Sequence, residues 1–331
     1  MVTIKDIAKQ LGISISTVSK GLNGASDISE EMRQLVLDTA LEMGYVTKNK
    51  RPTIRHKVAI IVENMEYENI NQFGYEIMTG FRLAANEQQY EVSIIPVDLY
   101  FQAKQSYDNM MIQNGYSGAF ILGFDLTDVY INQLQSTTIP TVLFDNYISN
   151  KHVGYIGTDN TAGIDALIQH LYDLGHRNIA FLNGAKHSFI TGRRFDLMQK
   201  AMKSLDLEIP KNMVAYGEFD PSTAKKYVND FINNGATAIV CGSDLIASGV
   251  INELHRIGKR VPEEISVTGF DDLPIAKYLA PPLTTVRQER FTLGKLAFML
   301  LTNLIHNISI TTLLLQSELI VRETTGPCNQ K

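Results

Sequence analysis

The sequence predicts a small all-α helix-turn-helix headpiece joined to an α/β body of two doubly wound lobes. Residues 3–23 hold two short helical patterns separated by Gly12. From Val58 onward, short apolar runs of strand length alternate with amphipathic helical ones. That alternation passes through two rounds, as expected of parallel sheets covered by helices on both faces.

In the head, Ile4, Ile7, Ala8 and Leu11 recur at i, i+3, i+4 and i+7, one apolar face of a helix. Thr3 and Asp6 have capping-box spacing at its start, and Gly12 ends it. Ser14 can cap a second helix running to about Leu22, with Val18 and Leu22 facing inward. Ile15, Ser16, Thr17, Ser19 and Lys20 are left outward, small polar groups with one cation. Such a helix after a tight turn suits a DNA major groove. Ser16 and Lys20 are the expected base-edge contacts and Ile15 the expected partner of a thymine methyl. Thr17, Ser19 and Asn23 are expected on phosphates. Ser29 then caps a third helix carrying Met32, Leu35, Val36, Ala40 and Met43, ended by Gly44.

Charge divides the chain the same way. Residues 1–57 carry nine Lys and Arg against six Asp and Glu, +3, so the rest holds −8 of the net −5. A basic head on an acidic body fits a polyanion at one end. Cys241 and Cys328 stand far apart and form neither a disulfide framework nor a metal cluster. No apolar run follows Met1, and the longest apolar stretches are strand-sized, so a cytoplasmic protein without a membrane span is expected. No glycine-rich nucleotide loop or nucleophile elbow is present, and His170, His176 and His187 lack ligand spacing and read as surface or turn residues. No cofactor, metal or enzymatic turnover is expected.

The body reads as strands 57–62, 92–96, 118–122 and 141–144 with helices 75–89 and 104–114, then a second round. That round has helices 163–174, 193–205, 222–233 and 243–257, and strands 178–182, 214–216, 238–241 and 266–269. Two rounds make two lobes with a cleft between them, ligands binding at the carboxyl ends of strands. Asp145, just after strand 141–144, faces that cleft by topology. On the long loop from Glu63 to Phe73, Asn71 can bind a hydroxyl and Phe73 can stack on an apolar ligand face.

The string TIKDIAKQLGISISTVSKGLNG resembles the N-terminal headpiece of the LacI/GalR family of bacterial transcription regulators. The body resembles that family's periplasmic-binding-protein-like core in DNTAG (159–163), LGHRNIA (174–180), GFDD (269–272), PPLTTVRQ (281–288) and LIVRET (319–324). The resemblance implies a headpiece at 1–47, a linker at 48–57, and two lobes. The first lobe is expected at 58–157 plus about 287–311, the second at 158–286 plus about 312–328. It places effector-binding roles on Arg194 (with Arg193 as the rival, since Leu197 replaces the family's glycine), Ser243 and Asp271, with Asp244 capping its helix. An arginine fork opposite a carboxylate suits vicinal hydroxyls, one donating and the other accepting. In the linker the chain departs: Arg51 stands at the family's alanine and Pro52 interrupts a helix, so an ordinary hinge helix is not expected. Ile54 keeps the spacing of the family's minor-groove leucine.

These observations point to a homodimeric repressor of carbohydrate genes. It would bind pseudo-palindromic double-stranded operator DNA and answer to a sugar-type effector that closes the lobes. The alternatives are a regulator controlled by a phosphorylated carrier protein, and a sugar-binding protein or enzyme.

Overall fold

The computed structural model describes residues 2–23, 25, 27–43, 45 and 56–328. The chain forms two compact units, Met1–Arg55 and His56–Lys331.

The head contains helices α1 (Ile4–Leu11), α2 (Ile15–Asn23) and α3 (Glu30–Glu42). At its start Thr3 Oγ1 accepts from the Asp6 N–H, and Asp6 Oδ2 accepts from the Thr3 N–H at 2.8 Å, a complete capping box. Gly12 ends α1 in the left-handed region at φ 66°, a conformation that a Cβ would strain. Ser14 Oγ accepts from the Thr17 N–H at 3.1 Å and starts α2. Ile7, Ala8, Val18, Val36 and Ala40 are buried together, with Ile4, Leu11 and Leu22 packed around them. The linker expectation and Ile54 lie outside the described residues, as does the side chain of Asn23.

The body holds two six-stranded sheets. The first is wholly parallel among its described pairs and runs β11-β5-β4-β3-β1-β2, from β1 (Lys57–Val62), β2 (Glu91–Pro96), β3 (Tyr116–Leu122), β4 (Thr141–Phe144), β5 (Val153–Asp159) and β11 (Thr312–Gln316). The second runs β12-β10-β9-β8-β6-β7, from β6 (Ile179–Asn183), β7 (Val214–Tyr216), β8 (Ala238–Cys241), β9 (Ser266–Asp271), β10 (Thr284–Arg287) and β12 (Glu318–Ile320). Only β12 is antiparallel among its described pairs. Helices α4 (Phe73–Glu87), α5 (Leu99–Lys104), α6 (Tyr107–Gln113), α7 (Val129–Gln133) and α12 (Arg290–Ile305) belong to the first lobe. Helices α8 (Thr161–Asp173), α9 (Phe189–Ser204), α10 (Ala224–Asn233) and α11 (Asp244–Arg256) belong to the second.

Three expectations need correction. Thr312–Gln316, expected in the second lobe, pairs in parallel with β5 and closes the edge of the first sheet, so the last crossing falls at Ser317. The single helix expected at 104–114 is two, because Asp98 Oδ1 caps α5 at the Phe101 N–H and the backbone at Gln105 and Ser106 is extended. His176, read as a surface or turn residue, is buried. Its ring nitrogens bond Thr237 Oγ1, Ser266 Oγ and the Gly326 carbonyl, tying the last strand connections to the C-terminal segment.

The chain passes between lobes at Asn160, at Gln288–Glu289 and at Ser317. These passages are laced together. Thr158 Oγ1 donates to Gln288 Oε1 at 2.6 Å, and Ser317 Oγ donates to the Asp159 carbonyl at 2.8 Å while accepting from the Gly163 N–H. The strand ends beside them carry Asp145 and Asp271.

Candidate functional site

On the head, α2 presents Ile15 half-exposed, with Ser16 and Lys20 also exposed. Ser14 Oγ joins Ser16 Oγ at 2.6 Å and Thr17 Oγ1 at 2.8 Å, which orders the hydroxyls of the first turn. Lys20 Nζ meets Asp27 Oδ2 at 2.5 Å, an exposed pair that solvent weakens. Thr17 and Ser19 lie on the flanks of α2, half-buried.

In the body, the structure brings Asp145, Arg194 and Asp271 together from three elements. Asp145 follows β4 with φ 48°, a strained left-handed turn that sets its carboxylate at the strand end. Gly157 on the neighbouring β5 permits this, because a Cβ there would stand 2.5 Å from Asp145 Oδ1. Arg194 comes from α9, buried, with its guanidinium 3.8 Å from the Phe270 ring centre and Nη1 donating to the Gly242 carbonyl. Asp271 ends β9, buried, with φ 110°, and its Oδ1 accepts from Gln288 Nε2 at 2.6 Å. Arg194, not Arg193, is therefore the arginine that enters; Arg193 is exposed.

The electrostatics follow from this placement. Burial pushes the Asp145 carboxyl up to about 7, Arg194 pulls it down and Asp271 pushes it further up. Burial pushes the Asp271 carboxyl up to about 6 against the pull of Arg194 and Arg290. One guanidinium thus serves two acids from opposite lobes. Asp145 Oδ1, Arg194 Nε, Asn183 Nδ2, Thr191 Oγ1 and Arg290 Nε are buried with no hydrogen-bond partner among the described residues. Such atoms are costly unless something polar meets them. Tyr155 of β5 and Phe189 of α9 also meet across the lobes, ring centres 6.2 Å apart at 85°.

Other expected residues sit differently. Ser243 Oγ accepts from the Ile246 N–H at 3.2 Å and is the N-cap of α11. Asp244, expected to cap, instead accepts from the Leu273 N–H and the Thr285 hydroxyl, which fastens α11 to β9 and β10. Phe73 is half-buried on Phe144, ring centres 5.8 Å apart, within the first lobe's core. Asn71 is exposed on the loop, its N–H given to Asn69 Oδ1.

Sequence reasoning missed Gln288, Glu76 and Arg290. Arg290 opens α12, is 3% exposed, donates to the Asp271 carbonyl and pairs with Glu76 Oε2 at 3.0 Å. It sits two residues beyond the PPLTTVRQ run, and its only signal was a charge at the head of an apolar helix.

Residues 3–48 match the family described as bacterial regulatory proteins, lacI family, and residues 168–325 match the periplasmic binding protein-like domain. The chain is 27% identical over 337 residues to the HTH-type transcriptional repressor PurR of Vibrio vulnificus (strain CMCP6), covering 99% of this chain and 100% of that protein. It is 27% identical over 331 residues to the ribose operon repressor of Halalkalibacterium halodurans, covering 98% and 97%. Among solved structures it is similar to a transcriptional regulator CelR–cellobiose complex, with a TM-score of 0.73 and 24% identity over 98% of this chain and 100% of that one. It is similar in the same degree, TM-score 0.73 and 23% identity over 98% and 99%, to the lac repressor dimer bound to operator and the anti-inducer ONPF. A LacI family regulator from Enterococcus faecium with bound ribose gives 0.70 and 22% over 82% and 99%. At these identities the structural likeness is one of fold.

Proposed function

The chain belongs to the lacI family of bacterial regulatory proteins, and from that premise we propose that it represses carbohydrate-utilisation genes under the control of a sugar-type effector held between its lobes. It binds DNA through the head. Ser16 and Lys20 read base edges, Ile15 covers a thymine methyl, and Thr17, Ser19 and Asn23 hold phosphates. A pseudo-palindromic operator calls for two heads, hence a homodimer, working in the cytoplasm. The effector reading rests on one observation: Asp145 Oδ1, Arg194 Nε and Arg290 Nε, on groups that act on one another and on Asp271 electrostatically, are buried without a hydrogen-bond partner. A polyhydroxylated ligand supplies both complements at once, hydroxyl donors for the carboxylates and hydroxyl acceptors for the guanidinium. Ser243, Phe73 and Asn71 are proposed as outer contacts of the same ligand. The named ligands of the similar structures, cellobiose and ribose, support a sugar over a protein corepressor.

Thermal melting of the full chain against mono- and disaccharides, sugar phosphates and purines tests this, with dye detection because the chain has no tryptophan. A ligand at about 100 times its Kd adds roughly 2.7 kcal/mol of stability. Asp271→Ala should remove the response. Silence from every compound at millimolar concentration would sink the effector reading. Selection from random duplexes tests the head, and enrichment unchanged by Lys20→Ala would remove Lys20 from the reading surface.

A further inference from the structure

Arg290 reaches both lobes at once. It is the first residue of α12, in the first lobe, and is buried. Its Nη1 donates to the carbonyl of Asp271, at the end of β9 in the second lobe. Its Nη2 meets Glu76 Oε2 at 3.0 Å, in the first turn of α4. The planar guanidinium thus gives its two ends to opposite lobes, a geometry that an ammonium cannot copy.

Asp271 needs such a hold. At φ 110° its backbone is strained for a residue with a Cβ, and such a conformation persists only where the surroundings fix it. Gln288 Nε2 fixes its carboxyl at 2.6 Å, and Arg290 fixes its carbonyl. Arg290 in turn depends on Glu76. Among the described residues Glu76 is the carboxylate that pairs with it, and a buried guanidinium stripped of its carboxylate is driven toward water. Glu76 itself has little slack. One turn beyond it on α4, a Cβ at Gly80 would collide with the Phe291 carbonyl. One turn beyond Arg290 on α12, a Cβ at Gly294 would collide with the Ile77 carbonyl. The two helices therefore pack backbone to backbone beside the ion pair, which sets how far Glu76 stands from Arg290.

We propose that Glu76 and Arg290 are a positioning pair for Asp271: Arg290 fixes the strained strand end from the opposite lobe, and Glu76 keeps Arg290 at that task. The functional meaning rests on the reading of Asp271 as an effector-binding acid. Glu76 acts on the ligand only through Arg290 and Asp271.

Hydrogen exchange of the full chain without ligand, read by mass spectrometry, tests the pair. Glu76→Ala should speed exchange about tenfold in the peptide spanning 270–273, where the Leu273 N–H is given to Asp244 Oδ2. Strand β7, at the far edge of the same sheet, should keep its rate. Glu76→Gln keeps an acceptor for Nη2 and should hold most of the protection, whereas Arg290→Lys cannot fork and should match Glu76→Ala. Faster exchange confined to α4 and α12 would make the pair a staple of the first lobe and overturn the proposal. Unchanged exchange, or a uniform rise across both lobes, would overturn it as well. Because no ligand takes part, each of these results leaves the effector reading standing, and silence in the sugar screen strikes that reading instead.

Discussion

Two pairs of carboxyls are buried at strand ends of the body, and they differ in what stands between them. Asp145 and Asp271 belong to opposite lobes, and the Arg194 guanidinium pulls on both carboxyls, joined at Asp271 by Arg290. Glu63 and Asp128 both belong to the first lobe, at the ends of β1 and just before α7, and their partners are uncharged or acidic. Gln102 donates to Glu63 Oε2, the Asp125 N–H donates to Asp128 Oδ2 at 2.7 Å, and Asp125 adds a like charge. Burial and the neighbouring acids push Glu63 up to about 7. In the first pair Asp145 Oδ1 is left without a hydrogen-bond partner among the described residues. In the second, Glu63 Oε2 and Asp128 Oδ2 are both met by neighbouring donors.

Four substitutions would break or sharpen this contrast, taken from the largest effect to the smallest. Arg194→Ala removes the guanidinium that pulls on both cleft acids, while Asp271 keeps Arg290, and should cost about 3 kcal/mol of stability at pH 7.5. Part of that loss should return near pH 5.5, where the acids protonate; urea unfolding at the two pH values measures both, and equal losses would separate Arg194 from the acids. Glu63→Gln concerns the other pair. Its carboxyl is raised in the folded state from its ordinary 4.5 to about 7. The stability it contributes is therefore fully present below about 4.5 and is lost progressively as pH rises through about 7. Melting curves across pH 5 to 8 should flatten in Glu63→Gln; an undiminished slope would assign the titration elsewhere.

Ser243→Ala should cost about 1 kcal/mol through the lost cap of α11. If effector affinity, measured by titration, also falls, Ser243 serves both roles; if it does not, the cap is its whole contribution. Last, Asp27→Ala frees Lys20 from an exposed pair. The melting of the head should stay as it is, while DNA affinity rises through the unpaired cation. A drop in melting temperature would make the pair structural.

Much of the fold was legible because its signals are local. The α1 face, the Thr3–Asp6 box, Gly12 and the alternation of apolar strands with helices each need only a few neighbouring residues. Among the elements that escaped, two did so for the opposite reason. α12 is buried around most of its circumference, so LGKLAFMLL shows no amphipathic period. β5 mixes glycines with polar residues because it serves as both strand and crossing. In the site, Asp145 was visible as an acid at a strand end, and Arg194 and Asp271 by their places in resembling segments. Ser243 took the cap expected of Asp244, which instead accepts from Leu273 and Thr285, since which of two adjacent side chains caps a helix depends on what the other can reach.

The sequence by itself determined the helix-turn-helix head, the doubly wound body and the cleft between two rounds of βα units, because periodicity and capping act over a turn or a pleat. Only the tertiary structure decided that β11 joins the first sheet, that Arg290 reaches Glu76 and the Asp271 carbonyl, and that Arg194 acts on acids from opposite lobes. Those outcomes depend on which distant strand ends meet and on how burial weighs one charge against another, and no local pattern records either.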